Sequence, residues 1–200
     1  MTTINYQITP VNLNSHLFEI SLTFDCKPTQ QYTLTLPAWL PGSYMIRDFA
    51  KNIVEITAQN KDESELPLIK VDKQTWCITP LSNAVTIQYQ VFAFDLSVRT
   101  AYLDSQRGFF NGSSTFLSVK ELADAPCQLT INPPTDKPDW RVATGMKRAI
   151  NTYKYSFGQY LAKNYQELID CPVAIGEFDS TEFIVEGVTH HIVFTSKHYG

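Results

Sequence analysis

Long hydrophobic runs are missing from this chain of 200 residues. The purest apolar stretch, residues 84–94 (AVTIQYQVFAF), is broken by Thr86, Gln88 and Gln90. A spanning helix needs about 20 apolar residues in a row, so membrane insertion by a helix is disfavoured. A basic excess is missing too: 16 Lys and Arg face 20 Asp and Glu, a formal net charge of -4. With no surplus to neutralise a phosphate backbone, nucleic acid is not the expected partner. The start, MTTINYQITP, has no basic run leading into an apolar one, so no secretory signal is expected. The four cysteines, Cys26, Cys77, Cys127 and Cys171, stand more than forty residues apart and form no CxxC pair. Such cysteines fit small buried hydrophobes in a reducing compartment, and the cytoplasm is the expected location.

Familiar catalytic signatures are also missing. The chain holds no HExxH, no GxSxG, no nucleotide-binding glycine loop and no metal-spaced Cys/His cluster. Its histidines are His16, His190, His191 and His198. His190 and His191 are neighbours on an expected strand, so they point to opposite faces and do not share a metal. Ser43, Ser113 and Ser114 have no visible His and acid partners for a hydrolase triad. No catalytic residue and no metal ligand is therefore assigned.

What is present is an apolar fraction of 44% and 25 aromatic residues, enough for a core built from strands. The dominant pattern has a period of two. Val85, Ile87, Tyr89 and Val91 alternate with Thr86, Gln88 and Gln90, and Phe18, Ile20, Leu22 and Phe24 with Glu19, Ser21 and Thr23. Cys127, Leu129 and Ile131 alternate with Gln128 and Thr130. A longer strand candidate covers residues 109–119. Turn markers separate these runs, among them Pro41-Gly42, Asn111-Gly112 and Pro133-Pro134. The expectation is a mostly β, antiparallel two-sheet sandwich with one or two short helices. The best helix covers residues 160–169, with Tyr160, Leu161, Tyr165, Leu168 and Ile169 on one face. After Pro172 come a strand over 173–178 and a hairpin over 183–195.

Two stretches are unusually dense. The first, LPAWLPGSYMIRDFAKN (36–52), joins a rigid turn to Ser43, Tyr44, Arg47 and Asp48. It reads either as a structural corner or as a loop that lends Tyr44 or Arg47 to a ligand site. The second, AYLDSQRGFFNGSSTF (101–116), contains Asn111-Gly112, a dipeptide suited to a hairpin tip.

These two stretches resemble the N-terminal β-domain of the glycyl aminopeptidase family of zinc metallopeptidases, whose members often end in a PDZ domain. Residues 165–200 resemble that family's passage into its catalytic domain. The family is in turn similar to the aminopeptidase N and leukotriene A4 hydrolase group, where a β-saddle packs on a thermolysin-like domain. The resemblance implies a saddle-like domain over 1–170 and the first catalytic strands over 171–200. It implies zinc in the full-length protein, bound by an HExxH set that this chain lacks, so the chain is expected to be inactive alone. It also implies two partners: the enzyme's own catalytic domain and a peptide substrate with a small N-terminal residue such as Gly. Ser43, Tyr44, Arg47, Asp48 and Asn111 become candidates for the wall of the substrate cleft. Phe178, Phe183, Val185, Ile192 and Phe194 are expected to lack cover without the rest of their sheet. A reading from another class is a free-standing β-sandwich that binds peptides or glycans.

The cysteine pattern gives a direct test. Thiol titration of the denatured, unreduced chain should find four free thiols, and two or none would refute the reading.

Overall fold

The computed structural model describes residues 2–195. Alternation of apolar and polar residues accounts for the long strands. In β1 (Ile4–Asn12), Ile4, Tyr6 and Ile8 are buried while Asn5 and Gln7 face water. β2 (Leu17–Asp25) buries Phe18, Ile20, Leu22 and Phe24 in the same way. The chain continues through β3 (Tyr32–Thr35), β4 (Ile53–Asn60), β5 (Ile69–Lys70), β6 (Thr75–Ile78), β7 (Ala84–Phe92), β8 (Ala101–Leu103) and β9 (Arg107–Phe110). It then forms β10 (Ser118–Val119), β11 (Cys127–Ile131), β12 (Arg141–Thr144), β13 (Lys147–Arg148) and β14 (Gly158–Ala162). A short helix, α1 (Tyr165–Asp170), precedes β15 (Val173–Gly176), and a hairpin of β16 (Asp179–Val185) and β17 (Val188–Phe194) follows.

The fold is mostly β, in two layers. One layer is a seven-stranded sheet in the order β13-β14-β11-β1-β2-β7-β4, antiparallel except where β1 runs parallel to β11. The other layer is divided into two four-stranded sheets, β10-β3-β6-β5 and β12-β15-β9-β8. Aromatic side chains bridge the layers. The ring of Phe24 lies 5.4 Å from Tyr32 in one small sheet, and Phe18 lies 5.6 Å from Phe110 in the other. The outer face of the large sheet carries rows of amides and hydroxyls in register, such as Gln159, Thr130, Gln7, Ser21, Gln88 and Thr57.

Three local expectations change. The helix expected over 160–169 begins only at Tyr165. Residues 158–162 instead extend as β14 beside β11, with Tyr160 and Ala162 buried. The Asn164 side chain accepts a hydrogen bond from the Glu167 amide at 3.0 Å, which starts the helix there. The strand expected over 109–119 is interrupted by a tight 3-10 turn, Gly112–Ser114. The strand at 173–176 joins the body between β9 and β12, so the β-domain pairing continues past Cys171.

The hairpin pairs only within itself among the described residues. Phe183, Val185 and Ile192 stay exposed, whereas Phe178 is buried under Arg141 and edge-on to Tyr155. His190 stacks on Phe183, and His191 turns the other way to Lys154 and Glu182. His198 lies outside the described residues. All four cysteines are free thiols.

Three buried tyrosines tie the layers to one stretch of backbone. Tyr6 of β1 donates its hydroxyl to the Leu117 carbonyl and Tyr165 of α1 donates to the Phe116 carbonyl, each at 2.8 Å. Tyr89 of β7 donates to the Thr115 carbonyl at 2.8 Å and accepts from the Leu117 amide at 3.0 Å. Backbone groups buried there with no partner would cost about 1–3 kcal/mol each. Burial raises the pKa of all three phenols above the ordinary value, which keeps the donors protonated.

Tyr89→Phe should therefore lower stability by about 1–3 kcal/mol in urea denaturation. The tyrosines also set an alkaline limit. Unfolded phenols lose their protons near pH 10, while the folded ones hold them longer. Stability is intact below about pH 10 and should fall as pH rises above it, by up to about 1.4 kcal/mol per unit per tyrosine. Tyr89→Phe should fall less steeply than the parent in the same range; an equal slope would refute the assignment.

Candidate functional site

The 36–48 stretch folds into a loop that holds itself up. Gly42 has φ +81, a left-handed backbone that glycine adopts without strain. The turn closes with the Ser43 amide on the Leu40 carbonyl at 3.2 Å. Trp39 Nε1 donates to the Ser43 carbonyl at 2.8 Å. The Ser43 hydroxyl donates to the Met45 carbonyl at 3.0 Å and accepts from the Met45 amide at 3.3 Å and from Arg47 Nε at 3.4 Å. The Arg47 and Asp48 amides both donate to the Ala38 carbonyl. Asp48 is left-handed at φ 48 and meets Lys73 Nζ at 2.8 Å. That pair is partly exposed, so it contributes about 1 kcal/mol or less.

Ser43 is thus used inside the loop, Arg47 touches it through Nε, and Asp48 ties the loop to Lys73 of the β5–β6 turn. Tyr44 is left free, fully exposed, with Met45 and Ile46 beside it at 63% and 69% exposure. Nothing in the patterning of the sequence separated Tyr44 from its neighbours in this way.

The second stretch turns inward. Asn111 Oδ1 accepts from the Ser113 amide at 3.1 Å and from the Ser113 hydroxyl at 2.6 Å, which caps the 3-10 turn. Ser113 and Ser114 are buried. A hairpin tip would be exposed; here the Asn-Gly pair lies under α1. A Cβ on Gly112 would stand 2.8 Å from Ile169 Cα and 3.0 Å from the Leu168 carbonyl oxygen. The turn leads straight into the backbone that the three tyrosines hold.

Two adjacent residues connect the stretches. Arg99 Nη2 donates to the Gly42 carbonyl at 3.2 Å, and the Asn111 amide donates to the Thr100 carbonyl at 2.9 Å. The structure therefore brings the 43–48 loop and Asn111 to one rim, through a loop that sequence reasoning missed. Leu96 and Val98 of that loop are exposed and border an apolar hollow of about 210 Å3 over Phe109 and Ala174. Among the described residues, no three His, Cys, Asp or Glu side chains are grouped to hold a metal ion.

A two-layer β-domain with a hydrogen-bonded loop at its rim, joined to a hairpin that among the described residues pairs only with itself, is the class defined by these features. The chain belongs to the Peptidase M61 N-terminal domain family, whose model matches residues 5–177, and so it is a metallopeptidase N-terminal domain. It is similar to the crystal structure of an aminopeptidase N family protein from Idiomarina loihiensis, at 43% identity and a TM-score of 0.93. The match covers 98% of this chain and 33% of that one, so this chain spans about a third of its relative's length. An M1 zinc metallopeptidase mutant from Deinococcus radiodurans, bound to a Tyr-Ser-Ala substrate, shares the fold at 8% identity and a TM-score of 0.50. That match covers 96% of this chain and 46% of the other. No curated protein matches the chain.

Gly112→Ala should force α1 away from the turn and cost about 1–3 kcal/mol, read as a lower midpoint in thermal unfolding. A variant as stable as the parent would show that the contact with α1 is loose.

Proposed function

We propose that this chain is the non-catalytic N-terminal part of a zinc-dependent aminopeptidase that removes small N-terminal residues such as glycine from peptides. The zinc, its HExxH ligands and the water they activate belong to a catalytic domain beyond this chain, and no step of the reaction runs through residues described here. The β-domain supports that catalytic domain and walls the substrate cleft. In this reading the enzyme is cytoplasmic, carries a trailing PDZ domain, and begins its catalytic unit at the tail. The passage is read over residues 171–200, and the pairing of β15 inside the β-domain favours its later part, the β16–β17 hairpin.

The observation that carries the reading is the rim loop. Ser43 and Trp39 bond within the loop and Asp48 anchors it to Lys73, so Tyr44, Met45 and Ile46 are left at its exposed tip. Ordering was completed within the loop, so contact with substrate or catalytic domain loses little further chain entropy. Ser43, Arg47, Asp48 and Asn111 position this tip, and Tyr44 makes the contact. The glycan-module reading is less favoured. Tyr6, Phe18, Phe24, Tyr89 and Tyr160 face the interior, the outer rows of the large sheet are mostly amides and hydroxyls, and the exposed rings Phe92 and Phe94 at its end pack on each other and on His16 and Tyr102.

In the full-length enzyme, Tyr44→Ala should lower kcat/KM for a glycyl anilide about fivefold or more, equal to roughly 1 kcal/mol. Its unfolding temperature should stay unchanged, because Tyr44 is fully exposed. Unchanged kinetics would remove Tyr44 from the cleft wall, and faster cleavage of leucyl than glycyl substrates would remove the glycine preference.

A further inference from the structure

The sequence between Asp139 and Glu167 contains Arg141, Lys147, Arg148, Lys154 and Lys163 and no acidic residue. This is unexpected in a chain with net charge -4. The fold gathers part of that segment around a cavity of about 660 Å3, between the β12–β13 corner and strand β17 of the hairpin. Arg148, Lys154, Tyr155 and Thr144 line one side, and Thr189 and His191 line the other. The volume is that of an ordinary small-molecule site.

The cations differ in how they are engaged. Lys154 Nζ lies 3.1 Å from His191 Nδ1, and both meet the carboxylate of Glu182, at 3.6 Å and 3.2 Å. This pair thus already holds one carboxylate, supplied by the chain itself. Arg148 has no such partner among the described residues. Its guanidinium makes one long contact, 3.5 Å to the Thr152 carbonyl. A planar fork of donors without a carboxylate, on a cavity lined also by Thr144 and Thr189, matches the geometry of a carboxylate or phosphate group.

We propose that this cavity binds a small molecule bearing an oxyanion, a carboxylate or a phosphate, gripped by Arg148 and assisted by the Lys154–His191 pair. One wall of the site is the β16–β17 hairpin, which the proposed function reads as the passage into the catalytic domain, so the test is made on the full-length protein. Citrate and inorganic pyrophosphate are the two probes, titrated by calorimetry at low ionic strength into the full-length protein and into its Arg148→Gln, Lys154→Gln and Lys147→Gln variants. Circular dichroism checks that each variant is folded. Lys147 removes the same charge outside the cavity, so it controls for net charge. At least one probe should bind saturably, and the tighter one tells which oxyanion the site prefers. Arg148→Gln and Lys154→Gln should each weaken it about tenfold or more, while Lys147→Gln changes it by less than about twofold. Binding of neither probe below about 10 mM, or an equal loss in Lys147→Gln, would overturn the proposal.

Discussion

Three phenolic hydroxyls that converge on the backbone of residues 115–117 hold this domain in register. They come from the centre of the large sheet, from β7 next to its edge, and from α1. The segment they hold is irregular backbone inside an apolar core, where unpaired amides and carbonyls are costly. The Thr115 and Phe116 amides turn back to the Gly112 carbonyl, and the three carbonyls and the Leu117 amide are met by the tyrosines. With that stretch fixed, the 3-10 turn before it is fixed, and Gly112 comes to lie against α1. Asn111 is then set against Thr100, Arg99 against Gly42, and the exposed tip at Tyr44 takes its place. The rim is positioned from the core outward, by hydrogen bonds at each step.

Much of the architecture was legible from period two alone. β1, β2, β7 and β11 alternate cleanly because each has one face in the core and one in water. The failures have a common cause. Residues 160–162 fit a helical face and a strand equally well, since both place Tyr160 inside; the Asn164 cap and the pairing with β11 decided between them. Asn111-Gly112 suits a hairpin tip or a cap, and the packing of α1 selected the cap. The two dense stretches stood out by their residues, and the resemblance to a family made them candidates for a cleft wall. Their division into a polar frame and an exposed tip depends on hydrogen bonds within the loop, which spacing does not reveal. Arg99 was missed because its partner stands 57 residues away.

The surface is divided by chemistry. The outer face of the large sheet is mostly amides and hydroxyls, with Glu19 and Glu55 among them and Phe92 at one end, and so offers an apolar partner little surface. Exposed apolar side chains collect elsewhere, on the rim loop, on the 95–100 loop and on the hairpin. A two-stranded ribbon is marginal in water on its own, so the hairpin depends on its contacts with the body, among them Lys154 with Glu182 and His191. The same contacts enclose the basic cavity.

The parallel pairing of β1 with β11 constrains how the domain is made. Ile4 meets Cys127, and every residue between them must be synthesised before that half of the central strand finds its neighbour. At about 5–20 residues per second, β1 spends roughly 6–25 s on a ribosome with one edge open. The antiparallel partner β2 arrives early and protects only the other edge. The large sheet is therefore assembled from the middle, first towards β7 and much later towards β14, and the interval between the two is when a nascent chain is most vulnerable to pairing with the wrong strand.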